Sequence, residues 1–390
     1  MRILMIWSEN LNKAGSGRTH WVHLAAALAA RGHQVRLLAP GYRPRTTEPL
    51  PVPVSYLNVG PRSTAAFLLF HLLLALCLPF ILIFRRPEVV YTRGLFHSFL
   101  MHLICRCQGV RYVAEIDSMV DEELAMRGRR GLARLIRLFD RWNLRWASAF
   151  VCVTPKLREE LIRGGARRER VMAIHNGAAV DLFVPGDRLA ARRELGLPED
   201  AALIGFTGVL AAWQGLDLLI DAAARLPSDR PWQVLIVGSG EMKGELLRRI
   251  ADGRLEDRVR LLPEMPHSQV PRLVQAFDLV VVPIHDPRKL RYGLSVLKFW
   301  EALSVGLPVL VPDQGDLGDV LRELRWPGEF ASGDAADLAR RIGEVMADLP
   351  ALRRRQAEIH QLIRQRHSWA AVAERTENLF DSLMTKRSSQ

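Results

Sequence analysis

Short apolar, β-branched runs alternate with longer segments of helical period along the whole chain, the pattern of βαβ units feeding a parallel sheet. In the first half, residues 2–7, 35–39, 89–92, 111–115, 150–153 and 171–175 read as strands. Residues 19–31, 63–84, 98–107, 131–148 and 156–163 read as helices between them. A turn-rich stretch from Asn176 to Gly186 follows, and then the alternation restarts. Strands are expected at 202–207, 232–237, 259–262, 279–283 and 308–311, with helices at 216–224, 243–251, 270–276 and 297–304. The pattern predicts an α/β chain of two doubly wound domains, 1–186 and 187–366, and a last helix within 367–390. Ligands of such sheets bind beyond the carboxyl ends of the strands, so a cleft between the domains is the expected site.

Composition agrees with this division. A chain of 390 residues suits two cores, and 49% hydrophobic with 25% charged residues excludes disorder, collagen-like repeats and coiled coil. Four cysteines are too few for a disulfide scaffold, and Cys105 and Cys107 stand one residue closer than redox or zinc pairs. They read as reduced thiols. The apolar start, residues 1–7, runs into Ser8-Glu9-Asn10 without a cleavage site, so a cytoplasmic chain is expected.

The formal charge of +12 changes the picture, because residues 127–170 carry 13 Lys and Arg against 4 Asp and Glu. Such a block predicts an anionic partner, or else a solvated face in an arginine-rich chain. No nucleic-acid module accompanies it, and Leu132, Leu135, Ile136, Leu138 and Trp142 fall near helical spacing. A basic amphipathic helix favours an anionic membrane surface over nucleic acid. Residues 65–84 carry no charge and are followed by Arg85-Arg86, long enough to cross a bilayer. Pro79 and His71 interrupt the run, and the strand after it belongs in the sheet that precedes it. A span, a buried crossover helix and a helix facing the membrane interface all remain open.

Three segments carry candidate chemistry. Gly15-Ser16-Gly17 and Gly238-Ser239-Gly240 each follow a strand region and open toward a helix, where backbone N–H groups can approach a phosphate; each can also be a plain turn. In the third, Ser295 reads as an N-cap, with Lys298 and Glu301 three apart on the helix that follows. Helix amides and Lys298 suit a diphosphate, while a carboxylate one turn on can hold a ribose diol; a surface ion pair is the plainer alternative.

Glu301-Ala302-Leu303-x-x-Gly306-x-Pro308-Val309, preceded by Ser295-x-x-Lys298, resembles the carboxyl-domain signature of family 4 of the GT-B glycosyltransferases. Asn176-Gly177, the segment from Gly208 to Asp217, and Gly32-His33-x-Val35 resemble it as well. The resemblance implies a metal-independent, configuration-retaining transferase of two Rossmann-like domains facing across a cleft, with a nucleoside-diphosphate sugar as substrate and no cofactor. It implies donor contacts at Gly208, Ser295 and Lys298, the ribose at Glu301, the base near Met265, and a Gly17 loop closing over the phosphates. Gln214, Gly238, Gly240 and Arg291 join this donor set. The last helix is implied to cross back onto the first domain.

The chain departs from that pattern in three places. Gly293 stands where many relatives have a glutamate, and Val209 and Gln214 stand where many have Arg and Lys. The diphosphate charge then falls to Lys298, a neighbour such as Arg291, and helix amides. Asp117 replaces a histidine on the acceptor side, where it can orient an acceptor hydroxyl and take its proton, or cap a helix at Asp121-Glu122-Glu123. The expected activity is sugar transfer to a lipid-linked or other amphiphilic acceptor on the inner membrane face, with residues 65–84 and 127–170 against the lipid. A nucleotide-sugar epimerase and a catalytically silent partner subunit are the alternatives.

Overall fold

The computed structural model describes residues 1–13, 15–43, 49–94, 98–119, 121, 124–125, 128–227 and 229–385. Arg127, at the start of the basic stretch, and Glu122 and Glu123, beside the cap considered for Asp117, lie outside them. The chain divides into two compact units, Met1–His175 with Trp369–Gln390, and Asn176–Ser368.

The first unit is built on a seven-stranded parallel sheet of order β3-β2-β1-β4-β5-β6-β7. The strands are β1 (Arg2–Ile6), β2 (Gln34–Arg43), β3 (Val54–Pro61), β4 (Val89–Arg93), β5 (Arg111–Ile116), β6 (Ala149–Cys152) and β7 (Val171–Ala173). Ile3 pairs with Val35 on one side and Val89 on the other, so the most apolar strands take the centre. Helices cover both faces of such a sheet, which is why its middle strands read as unbroken apolar runs. The strand Val54–Pro61 was not expected from sequence. It is the edge strand, half-exposed and interrupted by Asn58 and Gly60, so its apolar pattern is weak.

Right-handed crossovers decide which helix covers which face. The step from β1 to β2 runs one way along the sheet and carries Ser16–Ala30. Helix Trp369–Thr385 lies against it, with Trp369 edge-on to His20 at 5.0 Å and Arg31 paired to Glu377 at 2.5 Å. The steps from β3 to β6 run the other way and place Thr64–Arg85, Ser98–Cys107 and Arg130–Asn143 on the opposite face. The last helix was expected to run to Ser148 but stops at Asn143.

Helix Thr64–Arg85 starts where the Ser63 hydroxyl accepts the Ala66 N–H at 3.0 Å. It buries only Ala66, Phe70, Leu74, Leu78 and Leu82, every fourth residue. Leu72, Leu76, Phe80 and Phe84 stand out into solvent, Phe84 by 80%. The reading of this segment as a wholly buried crossover helix is therefore wrong. A five-residue stripe satisfies the sheet, the residues flanking it are half-buried, and the outer side, Leu68, Leu69, Leu72, Leu76, Phe80, Ile83 and Phe84, is apolar and exposed.

The second unit has a six-stranded parallel sheet of order β10-β9-β8-β11-β12-β13. Its strands are β8 (Ala202–Thr207), β9 (Trp232–Val237), β10 (Val259–Leu262), β11 (Leu279–Val281), β12 (Val309–Pro312) and β13 (Glu329–Phe330). The division falls at His175/Asn176 and not at 186. Ala178 bridges to Ser368, and Phe183 is fully buried in the second core, so the turn-rich stretch belongs to the second unit.

Candidate functional site

In the second unit two glycine-bearing loops meet beyond the ends of β8 and β9. The Gly208 N–H donates to Val237 O at 3.0 Å and the Leu210 N–H to Ser239 O at 2.8 Å. The loops approach so closely that a Cβ on Gly238 would land on the Gly208 carbonyl oxygen, and one on Gly240 would meet that of Leu210. Gln214, buried in the same loop region, turns its side chain inward.

Helix Leu297–Val305 brings the charge to this place. Lys298 Nζ donates to Gln214 Oε1 at 2.9 Å and stands 3.7 Å over the Phe206 ring. A Cβ on Gly208 would lie 3.1 Å from the same Nζ. Burial pulls the Lys298 ammonium down to about 7, opposed by Glu301. Glu301, one turn further on, is pushed up to about 7 by burial, opposed by Lys298. A buried cation of low pKa beside close-packed backbone is matched to an anion that arrives with its own charge.

Ser295 does not cap this helix. The cap position is Val296, which offers no side-chain acceptor, and the Ser295 hydroxyl instead accepts the Asn176 N–H at 2.9 Å. The Asn176 amide also donates to the Ser295 carbonyl. Ser295 therefore ties the start of the second unit to the helix that carries Lys298. Gly293 has φ 75°, a left-handed conformation in which a glutamate would be strained. The departure from the family pattern there is built into the backbone. Met265 is half-buried against the second core, next to Glu264, whose carboxylate accepts the Ser239 hydroxyl at 2.6 Å. Arg291 is exposed and stands 5.5 Å over the ring of Tyr292.

In the first unit the structure joins Gly17 and Asp117 through a residue that sequence reasoning missed, Arg93. Its guanidinium pairs with Asp117 and lies 5.0 Å over the Trp7 ring. A Cβ on Gly17 would come within 2.5 Å of Arg93 Nη1 and 3.0 Å of Trp7. The signal was present: a lone arginine ends the buried strand Val89–Arg93 and Gly94 follows it. Behind it, Glu115 is buried with His20 Nε2 at 2.7 Å and the Tyr91 hydroxyl donating to its other oxygen. Burial alone would raise the Glu115 carboxyl, but His20, Arg93 and that hydroxyl together hold it below the ordinary value. Among the described residues no group of three or more His, Cys, Asp or Glu side chains could hold a metal.

Residues 15–177 match the family model for a glycosyl transferase 4-like domain, and residues 187–361 that for glycosyl transferases group 1. A D-inositol 3-phosphate glycosyltransferase of Mycolicibacterium smegmatis is 35% identical over 211 residues, 53% of this chain and 46% of the relative. The alignment thus spans about half the length of the curated relatives it matches. Among solved structures, Anabaena HepE in complex with UDP and glucose superposes with a TM-score of 0.75 at 19% identity, over 98% of this chain and 100% of that one. WaaG, a glycosyltransferase involved in lipopolysaccharide biosynthesis, superposes with a TM-score of 0.72 at 17% identity, over 97% and 99%. Likeness at this identity speaks for the fold.

Proposed function

The chain belongs to the group 1 (family 4-like) glycosyltransferases of GT-B fold, and from that premise we propose a retaining, metal-independent sugar transfer to a lipid-linked acceptor at the cytoplasmic membrane face. The donor is a nucleoside-diphosphate sugar held by the second unit. The single observation that carries this reading is the buried Lys298, set between Gln214, Phe206 and the close-packed glycine loops. Lys298 and the backbone amides around Gly208, Gly238 and Gly240 take the diphosphate, and Glu301 accepts from the ribose diol. HepE binds UDP, which fits a pyrimidine diphosphate here.

On the acceptor side, Arg93 and Asp117 orient the attacking hydroxyl. The bond from the sugar anomeric carbon to the diphosphate oxygen breaks, the acceptor oxygen takes its place, and the Asp117 carboxylate receives the hydroxyl proton. The nucleoside diphosphate leaves with the electron pair.

Membrane attachment rests on the distribution of exposed apolar side chains. Fourteen of the nineteen exposed large hydrophobic residues described lie on Thr64–Arg85, Ser98–Cys107 and Arg130–Asn143, neighbours on one face of the first sheet. Phe99 and Trp142 pack at 4.3 Å, joining the last two helices. An apolar patch of this size flanked by arginines marks an interaction surface, and helices lying flat with apolar and basic residues suit an anionic bilayer.

The test is transfer from a panel of labelled nucleotide sugars into vesicles containing a polyprenyl-diphosphate sugar. Label moving into the lipid fraction with one donor supports the proposal. Donor binding without consumption, with or without vesicles, overturns it in favour of a silent partner subunit.

A further inference from the structure

At the amino ends of β1, β2 and β3 the first sheet has a pocket of about 190 Å³ that has no place in the reaction above. Leu4 and Leu38 line it from the sheet, and Ile81 and Arg85 from the end of helix Thr64–Arg85. Arg2 and Arg36 also line it. In the parallel register Arg2 sits opposite Gln34 and Leu4 opposite Arg36, so the two arginines are diagonal neighbours on one sheet face. Like charges on adjacent strands repel, and a carboxylate between them is the ordinary remedy. Glu88 accepts the Arg2 backbone N–H at 2.7 Å, but among the described residues no carboxylate forms an ion pair with the guanidinium of Arg2, Arg36 or Arg85. Three cations around an aliphatic floor are complementary to an anion that carries a hydrocarbon chain.

We infer that this pocket binds an anionic membrane lipid, its phosphate among Arg2, Arg36 and Arg85 and the first part of its acyl chain against Leu4, Leu38 and Ile81. The inference rests on the membrane-facing reading of Thr64–Arg85 given above. Phe80, Ile83 and Phe84 of that helix are exposed one turn or less from the pocket residues Ile81 and Arg85. A helix lying in the interface brings its own end to headgroup depth, where an arginine cluster meets lipid phosphate. The occupant adds orientation to attachment, because it pins one end of the apolar helix.

The test uses the full chain and separates pocket from surface. Dihexanoyl phosphatidylglycerol, below its micellar concentration, is titrated into wild type, the double variant Arg2→Gln/Arg36→Gln, and the control Arg260→Gln on the exposed side of β10. Saturable binding by wild type and the control, weakened at least tenfold in the double variant, supports the site. Equal affinity in all three, or no binding, overturns it. Binding of glycerol phosphate as tight as that of the lipid overturns the acyl part and leaves a free-phosphate site. Cosedimentation with phosphatidylglycerol vesicles is run alongside. Vesicle binding that persists while the short-chain lipid fails sinks the pocket alone, and loss of vesicle binding in wild type sinks the membrane reading itself. Retained thermal stability of the double variant shows that it folds.

Discussion

The ammonium of Lys298 hydrogen-bonds Gln214 at 2.9 Å, buried, with the carboxylate of Glu301 one turn further along the same helix. Burying its charge carries a cost to the free protein. Burial lowers it to about 7, so the penalty is fully present below pH 7 and is relieved as pH rises toward the ordinary lysine value. Lys298→Met is expected to stabilise the free second unit by about 1 kcal/mol or more at pH 6.5, and by less at pH 9. Nucleoside-diphosphate affinity should fall at least about tenfold in the same variant. Thermal melts at the two pH values, with and without ligand, check both signs.

Donor binding should be bell-shaped in pH. Lys298 must be protonated to meet the diphosphate, and above about 7 the free protein has lost that proton, so affinity declines as pH rises. Glu301 must be ionised to accept from the ribose, and below about 7 it holds its proton, so affinity declines as pH falls. Calorimetric titration from pH 5.5 to 8.5 should show a maximum near neutrality. Lys298→Met should flatten the alkaline limb and Glu301→Gln the acid limb, with the ligand's own titration common to all three.

Gly238→Ala should fail differently. Its methyl group would fall on the Gly208 carbonyl, a rigid backbone atom, so the loops must part. A loss of about 1–3 kcal/mol is expected, with nucleotide binding lost along with it. Urea denaturation of wild type and variant gives the first quantity and calorimetry the second.

Arg93 separates acceptor from donor. Arg93→Met is expected to leave nucleoside-diphosphate affinity unchanged while raising the acceptor KM about tenfold, since its contacts are Asp117 and Trp7 in the first unit. A change in donor affinity of the same size would contradict the assignment.

The exposed helix face offers a stability contrast. Leu72→Gln with Leu76→Gln changes exposed side chains and should shift stability by no more than about 0.5 kcal/mol each. Leu74→Ala, at a fully buried position of the same helix, should cost about 2–5 kcal/mol. Only the exposed pair should weaken binding to phosphatidylglycerol vesicles while leaving the fold intact.

How much of this was readable in the chain varies with burial. The strands at 202–207 and 232–237 coincide with their sequence expectation because interior parallel strands are apolar on both faces. Val54–Pro61 escaped because an edge strand needs no such run, and Glu329–Phe330 because two residues have no period. The helix at Thr64–Arg85 was legible as a helix, but its buried face was not. Its residues are apolar all round, so no moment tells the sheet side from the other.

Lys298 and Glu301 share one helix as their spacing predicts, whereas Ser295 was misread as its cap. A serine before a helix is an ordinary cap, and only tertiary structure shows that Asn176 has claimed its hydroxyl. Arg93 was missed for a related reason. Its partner Asp117 comes just after the next strand ends at Ile116, and the register that sets Arg93 beside Glu115 is a property of the sheet.

The most direct test of the central claim is thermal stabilisation by a panel of nucleoside diphosphates in wild type and Glu301→Ala. At about 100 times its dissociation constant a ligand stabilises the fold by roughly 2.7 kcal/mol, a shift of several degrees. The account predicts that one diphosphate stabilises wild type and fails to stabilise the variant. Stabilisation by none of them, or equal stabilisation of both proteins, would contradict a donor site at Lys298 and Glu301.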